Sequence, residues 1–357
     1  MTFACGKNES GDNFDKKGMF TNYADNLILA SYNDYGTSLT TLQTAVTDFK
    51  ANSNLTTLTT LQAAFLDAYE KWQHCEIYEK TAPADAVMAI ENTNFYPTRI
   101  DSVNAYIARN DNSAMYIKSR NKNDKGLPAI EYLLFSSLVQ QVVLDKFTID
   151  ANAASYKIYL TSLVENLIEI NNTILADWNT SYRTTFINNV GTDAAGSFSV
   201  LVNSIAQRAD DFKRHQVGIP AGYSGNVATA NTYPTAVQAY YSTNSISYMM
   251  FTLNNIENVM YGKSSTGNDG VGLYDYLKTL NFTSTFGGNL ADDIIAQIAV
   301  CRTKAGECAP RYAETVVNNK PKADALFLEA KKLLVLMKVD LPSAFGVSIT
   351  YTDSDGD

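Results

Sequence analysis

Along most of the chain apolar residues recur every three or four positions, the spacing of an amphipathic helix. Leu39, Leu42, Val46 and Phe49 form one stripe, and Leu58, Leu61, Phe65, Ala68 and Trp72 form the next, with Ala51-Asn52-Ser53-Asn54 between them as a break and a cap. Two long amphipathic helices joined by so short a link pack antiparallel. A third stripe, through Tyr156, Leu160, Leu163, Leu167, Ile170, Ile174 and Trp178, runs several turns beyond an average helix and suits a bundle. The pattern stops near Asn188-Asn189-Val190-Gly191-Thr192-Asp193, where Gly191 can close one helix and Thr192 or Asp193 can cap the next. Beyond it, Met249, Leu253, Ile256 and Met260 share a face, followed by Ile294, Ile295 and Ile298. A closing helix carries Ala323, Leu326, Ala330, Leu333 and Met337. The Gly- and Ser-rich stretches at Gly222 to Gly225 and Gly262 to Gly270 read as loops, and a short strand is expected only at Val347-Ser348-Ile349-Thr350-Tyr351. The chain is therefore expected to be all-α: a polar tether at residues 1–17, an N-terminal helical bundle at 18–190 and a C-terminal one at 191–357.

Composition narrows the partners. At 357 residues the chain exceeds what one simple core usually organises, and 45% hydrophobic with 18% charged residues describes a globular protein. A net charge of −9 without any Lys/Arg cluster excludes nucleic acid and repels anionic lipid headgroups, while it attracts cations. No apolar run approaches the roughly 20 residues that span a bilayer. Met1-Thr2-Phe3-Ala4-Cys5-Gly6 reads like the end of a bacterial lipoprotein leader, which makes Cys5 the expected lipid-bearing residue and the polar stretch Gly6 to Lys17 its tether. Cys301 and Cys308 flank a segment in which Gly306 permits a close approach, and a disulfide is expected there in an oxidising compartment; spacing alone leaves a reduced pair open. Cys75, in an apolar helical context, reads as a buried thiol.

Candidate chemistry centres on Lys125-Gly126-Leu127-Pro128-Ala129-Ile130-Glu131-Tyr132-Leu133-Leu134-Phe135. Gly126 allows a tight turn, Pro128 suits a first helical turn, and Glu131 sits one turn later beside the apolar stripe of Ile130, Leu133 and Leu134. A carboxylate there needs a helix N-terminus, an arginine or a metal ion. The segment resembles the imelysin signature Gly-x-His-x-x-Glu, with Gly126 and Glu131 matching and Pro128 in the histidine's place. Trp72-Gln73-His74-Cys75-Glu76 resembles the family's aromatic-x-x-Thr-Glu helix, with Glu76 at its glutamate. Asn94-Phe95-Tyr96-Pro97 with Arg99 is similar to the family's Trp-Pro region. Ser242-Thr243-Asn244-Ser245 through Asn258-Val259 to Gly262 resembles its Ser-Asp-Asn-Thr-His segment, with Ile246 replacing the histidine and Tyr248 at an aspartate position. The tail Asp353-Ser354-Asp355-Gly356-Asp357 is similar to the family's acidic ending.

The resemblance implies a pair of four-helix bundles packed side by side, with a pocket where they meet, in an envelope protein linked to iron acquisition. It places Glu76, Arg99, Gly126, Pro128, Glu131, Ser242 and Asn244 around that pocket. Glu76 and Glu131 would offer hard oxygen ligands to iron or another divalent or trivalent cation; alternatively Arg99 neutralises one of them in a structural network. Ser242 and Asn244 are also natural helix caps. Of the two histidines, His215 reads as a surface residue at a cationic helix end, and His74 as a ligand or a salt-pair partner of Glu70. Three functions follow: a lipid-anchored binding protein for a small ligand or metal ion, a metallopeptidase, or a surface lipoprotein with a degraded site that meets another envelope protein. The missing histidines count most against the peptidase, because a zinc site usually includes imidazole.

Overall fold

The computed structural model describes residues 13–109 and 117–351, so Cys5 and the acidic tail lie outside the described residues. Asp15 accepts a hydrogen bond from the Gly18 N–H and caps a helix beginning at Lys16, so regular structure starts slightly inside the expected tether. That helix continues through Tyr23–Leu29 into α1 (Ala30–Ala51). Asn54 and Thr57 then form a reciprocal cap, at 3.0 and 3.2 Å, that starts α2 (Leu55–Cys75). The two helices pack against each other along the stripes read from the sequence: Leu39, Leu42, Phe49, Leu58, Leu61 and Phe65 are all fully buried. Helix α3 (Gly126–Phe135) and the long α4 (Ala153–Asp177) complete this half, with α4 lying against both α1 and α3.

The rest of the chain is also helical. Its main helices are α5 (Ser197–Asp211), which runs on through Phe212–Gly218, α6 (Ser245–Tyr261), α7 (Leu290–Glu307) and α8 (Lys320–Val335). α6 packs on α7, α7 on α8, and the Phe212–Gly218 turns on α8. Gly262 ends α6 in the left-handed region at φ 71°, where a Cβ would also meet the Val271 carbonyl. The buried apolar residues form one continuous cluster through both halves. Part of that continuity comes from the leading helix: Phe20 packs edge-on against Phe198 at 4.8 Å, and the Tyr23 hydroxyl donates to the Val259 carbonyl at 2.6 Å. Among the described residues no single helix is long and apolar enough to cross a membrane.

Three local expectations are corrected. Gly196 precedes α5, so neither Thr192 nor Asp193 caps it; Asp193 instead accepts from the Ala195 N–H within the loop. Val347 to Tyr351 forms no strand, because the Asn203 side chain takes its backbone groups, accepting from the Thr350 N–H at 2.7 Å and donating to the Ser348 carbonyl at 3.1 Å. The strands present among the described residues are the short pair Tyr223–Ser224 and Val227–Ala228. Cys301 and Cys308 are both free thiols. Cys301 lies in α7 and Cys308 directly follows it. Seven helical residues rise about 10 Å, beyond the roughly 7 Å Cα limit for a bridge, so the helix itself holds the sulfurs apart.

Candidate functional site

Two buried carboxylates of the first half take donors from the second. Glu76 sits in the short turn that ends α2. Its Oε1 is 3.0 Å from the Arg208 guanidinium on α5, and its Oε2 accepts from the Trp72 indole at 3.1 Å and the Asn94 amide at 3.0 Å. Burial pushes the Glu76 carboxyl upward, while the charge of Arg208 and the hydrogen bonds from Asn94 and Trp72 pull against it. Arg208 is itself buried and reaches toward Asp211, whose carboxylate also meets the His215 Nδ1 at 2.9 Å. Burial works against ionising Asp211, but the His215 hydrogen bond and the Arg208 charge outweigh it and hold the carboxyl below its ordinary range.

Glu131 is placed by the start of α3. Gly126 has φ 75°, and a Cβ there would lie 2.3 Å from the Thr93 carbonyl oxygen, so only glycine lets the helix begin against that segment. Glu131 then projects from the next turn into the interior. Its Oε1 accepts from both the backbone N–H and the hydroxyl of Ser242, each at 2.7 Å. Burial raises this carboxyl to about 7, against the opposing bonds from Ser242 and the Tyr241 N–H. Among the described residues no cation pairs with it in the way that Arg208 pairs with Glu76.

The carboxylates occupy adjoining cavities. One, of about 130 Å³, is lined by Glu76, Glu79, Asn94, Arg208, Asp211 and His215 among others. The next, of about 230 Å³, is lined by Pro128, Glu131, Thr98, Ile100, Val237 and Tyr241 among others. Tyr96 borders both. In the first, Glu79 is raised to about 8 by burial and then by the Asp211 charge, with Arg208 and Lys80 opposing. Around the cavities runs a buried set of neutral groups. Gln216 donates to Gln238 at 2.5 Å and to Thr252 at 3.0 Å, Gln238 donates to Gln73 at 3.2 Å, and the Tyr69 hydroxyl donates to Asn94 at 2.7 Å. This network ties α2 to the second half and fixes Asn94, which in turn orients Glu76.

The seven site residues expected from the sequence therefore separate. Pro128, Glu131 and Ser242 come together, and Gly126 sets their geometry. Glu76 lies in the neighbouring cavity. Asn244 precedes α6 without a capping hydrogen bond from its side chain, and Ser242 is occupied with Glu131, so neither caps that helix by its side chain. Arg99 neutralises neither glutamate: it forms a two-pronged pair with Asp124, at 2.9 and 2.7 Å. The cation that pairs with Glu76 is Arg208, which sequence reasoning missed. The signal available was Arg208, Asp211 and His215 at helical spacing on one face of a continuous helix. His215, expected at the surface, lies half-exposed at the rim of the Glu76 cavity. His74 stands edge-on to Phe251, and its imidazole is pushed down by burial and the Lys71 charge.

The donor set does not suit a resident metal. Pro128 and Ile246 offer no side-chain donor, Tyr248 is buried against Tyr69, and Glu131 and Glu76 line different cavities. Among the described residues no group of three or more His, Cys, Asp or Glu side chains is arranged to hold a metal ion.

The profile of the imelysin family, also called peptidase M75, matches residues 28–336. An imelysin-like protein from Psychrobacter arcticum 273-4 superposes with a TM-score of 0.72 at 16% identity, covering 94% of this chain and 97% of that one. A Parabacteroides distasonis ATCC 8503 protein designated an iron-regulated protein A precursor gives 0.71 at 16% identity, over 92% and 95% of the two chains. No curated protein matches in sequence. With the profile spanning most of its length and the all-helical fold shared with both structures, the chain belongs to the imelysin family.

Proposed function

We propose that this imelysin-family chain is a ligand-binding protein of the bacterial cell envelope, acting in iron acquisition, anchored through lipid on Cys5, and without peptidase activity. The observation that carries the binding reading is Glu131: the family's motif carboxylate lies at the wall of a cavity between the halves, held only by neutral donors. A carboxyl that titrates at about 7 can accept or release a proton, or meet a donor on a ligand, without first breaking an ion pair. The iron-regulated designation of the Parabacteroides protein supports the link to iron. Residues before and after the expected division at 190/191 both line this cavity.

Peptide hydrolysis by a zinc enzyme needs about three protein ligands and an open position for water. With proline and isoleucine at the matched histidine positions, that set is missing its nitrogens. Iron therefore enters this reading as what the bound ligand serves or carries, not as a cofactor held by Glu76 and Glu131.

The test is growth of the producing bacterium on iron-poor medium after deletion of the gene. Growth should fall and be restored by the wild-type chain, but not by Glu131→Gln or a Cys5→Ser form expressed to the same level. Unchanged growth in the deletion overturns the iron link, and full rescue by Glu131→Gln overturns the role given to the cavity. Proteolysis by purified protein that needs added metal and vanishes in Glu131→Gln overturns the non-enzymatic reading.

A further inference from the structure

Beside the Glu131 cavity lies a larger groove. About 510 Å³ in volume, it is lined by Tyr240, Tyr241, Ser136, Thr243, Arg311 and Glu314 among others. Val237, Tyr240 and Tyr241 border both the groove and the Glu131 cavity and so form a wall common to the two. That volume falls within the range of small-molecule sites, which is about 300–1,000 Å³. We propose that this groove binds a neutral oligosaccharide of pyranose sugars, stacked on Tyr240 and Tyr241 and hydrogen-bonded by the hydroxyl and ionic groups of the same lining.

The lining selects this class. Tyr240 is partly exposed, and its ring meets the Tyr241 ring edge-on at 5.2 Å, while Tyr241 in turn meets Tyr132 at 5.4 Å. Packed rings of this kind keep their orientation and present faces of negative potential, which suit the weakly positive C–H face of a pyranose. The rest of the groove supplies what sugar hydroxyls need. Thr243 offers a free hydroxyl and Ser136 one that already accepts from Lys146 at 2.6 Å, while the Arg311 guanidinium, 2.9 Å from Glu314, adds donors and acceptors in an exposed pair of no net charge. The chain's charge of −9 opposes a nucleic acid or anionic polymer, and Arg311 of the lining is already paired with Glu314. A lipid tail would cover the Thr243 hydroxyl and the exposed ion pair while offering them no hydrogen bonds.

Backbone strain marks the same wall. Ala239 at φ 55° and Thr243 at φ 64° hold the left-handed region, which is costly for a β-branched residue. Such strain persists where surrounding structure enforces it, and it concentrates at ligand sites. Here it holds the segment that carries Tyr240, Tyr241 and the Ser242 partner of Glu131.

This inference rests on the reading of the chain as a binding protein and names a ligand class for it. The test is titration calorimetry of the purified chain with gluco-, manno- and N-acetylglucosamine oligomers of four to six units, against a sulfated polysaccharide and a peptide mixture. Saturable binding of at least one neutral oligomer is expected, and the panel separates plain hexoses from N-acetylated ones. Tyr240→Ala should weaken that binding about fivefold to tenfold, Tyr240→Phe should hold it within about twofold, and Arg311→Ala should weaken it while circular dichroism stays unchanged. Absence of binding to every neutral oligomer, preference for the sulfated polymer or peptides, or indifference to both Tyr240→Ala and Arg311→Ala overturns the proposal. Growth on iron-poor medium separates the two readings: if it depends on the chain while no sugar binds, only the carbohydrate inference fails.

Discussion

Glu76 and Glu131 invite comparison because they begin alike and end differently. Each is a buried glutamate on or at the end of a helix in the first half, and each is held by residues of the second half. Glu76 meets a guanidinium and two neutral donors, whereas Glu131 meets only neutral donors, a serine hydroxyl and two backbone amides. The first arrangement compensates charge with charge and fixes a clasp between α2 and α5. The second leaves a carboxyl whose protonation is in balance near neutral pH. Burial alone does not distinguish a structural glutamate from one available for chemistry; the charge of its partners does.

The sharpest way to break the comparison is to remove the cation from the first site. Arg208→Met leaves Glu76 buried without a counter-charge and is expected to cost about 3–5 kcal/mol in urea unfolding at neutral pH. Adding Glu76→Leu should recover most of that loss, because the pair's value lies largely in compensating each other's burial. A loss below that of an average surface substitution would show that the clasp carries no stability.

Glu131→Gln should act in the opposite direction. Below about pH 4.5 the carboxyl is protonated both folded and unfolded; between about 4.5 and 7 the unfolded chain releases the proton while the fold retains it. Stability conferred by the protonated group is therefore present at acid pH and lost as pH rises through that window. Glutamine keeps an acceptor for Ser242 and cannot ionise, so the variant should gain stability over wild type by roughly 3 kcal/mol at pH 8 and nothing at pH 4. Urea midpoints across pH check this. Glu79 drifts in the same sense up to about 8, so the difference between variant and wild type is the quantity to read. A variant that is more stable yet fails to support growth on iron-poor medium would mark Glu131 as a residue kept for function at the expense of stability.

Arg99→Ala should have a smaller effect than Arg208→Met. Arg99 is half-exposed, so water replaces part of its pairing, though Asp124 remains fully buried. Its melting temperature should fall less, and the titration of Glu76 and Glu131 should not move, since Arg99 bonds to neither. The smallest effect is expected at the cysteines. Reducing agent should leave the melting temperature unchanged, and denatured protein should show Cys301 and Cys308 reactive without prior reduction. A melting temperature that falls on reduction would mean that the helix end at Cys308 opens to allow a bridge.

Much of this protein was legible in its sequence. The stripes of α1, α2 and α4, the Asn54 cap and the glycine start of α3 all follow from residues close together in the chain, because helical periodicity and capping are local. Glu131 was legible for the same reason, whereas Glu76 stood out only through the family resemblance. Their partners were not. Arg99 stands near the motifs in sequence but turns to Asp124, while Arg208 and Ser242 arrive from helices and loops of the other half. The Cys301–Cys308 spacing looked permissive until a continuous helix set the distance, and Val347 to Tyr351 had strand character until Asn203 took its hydrogen bonds. The sequence by itself determined which segments are helical, which face each buries and which carboxylates must be compensated. Only the tertiary structure decided how those faces cross, and hence which charge meets Glu76, which neutral donors meet Glu131 and where the tyrosine-walled groove opens. A helical repeat is enforced within a few residues, whereas the choice of partner depends on the packing of whole helices far apart in the chain.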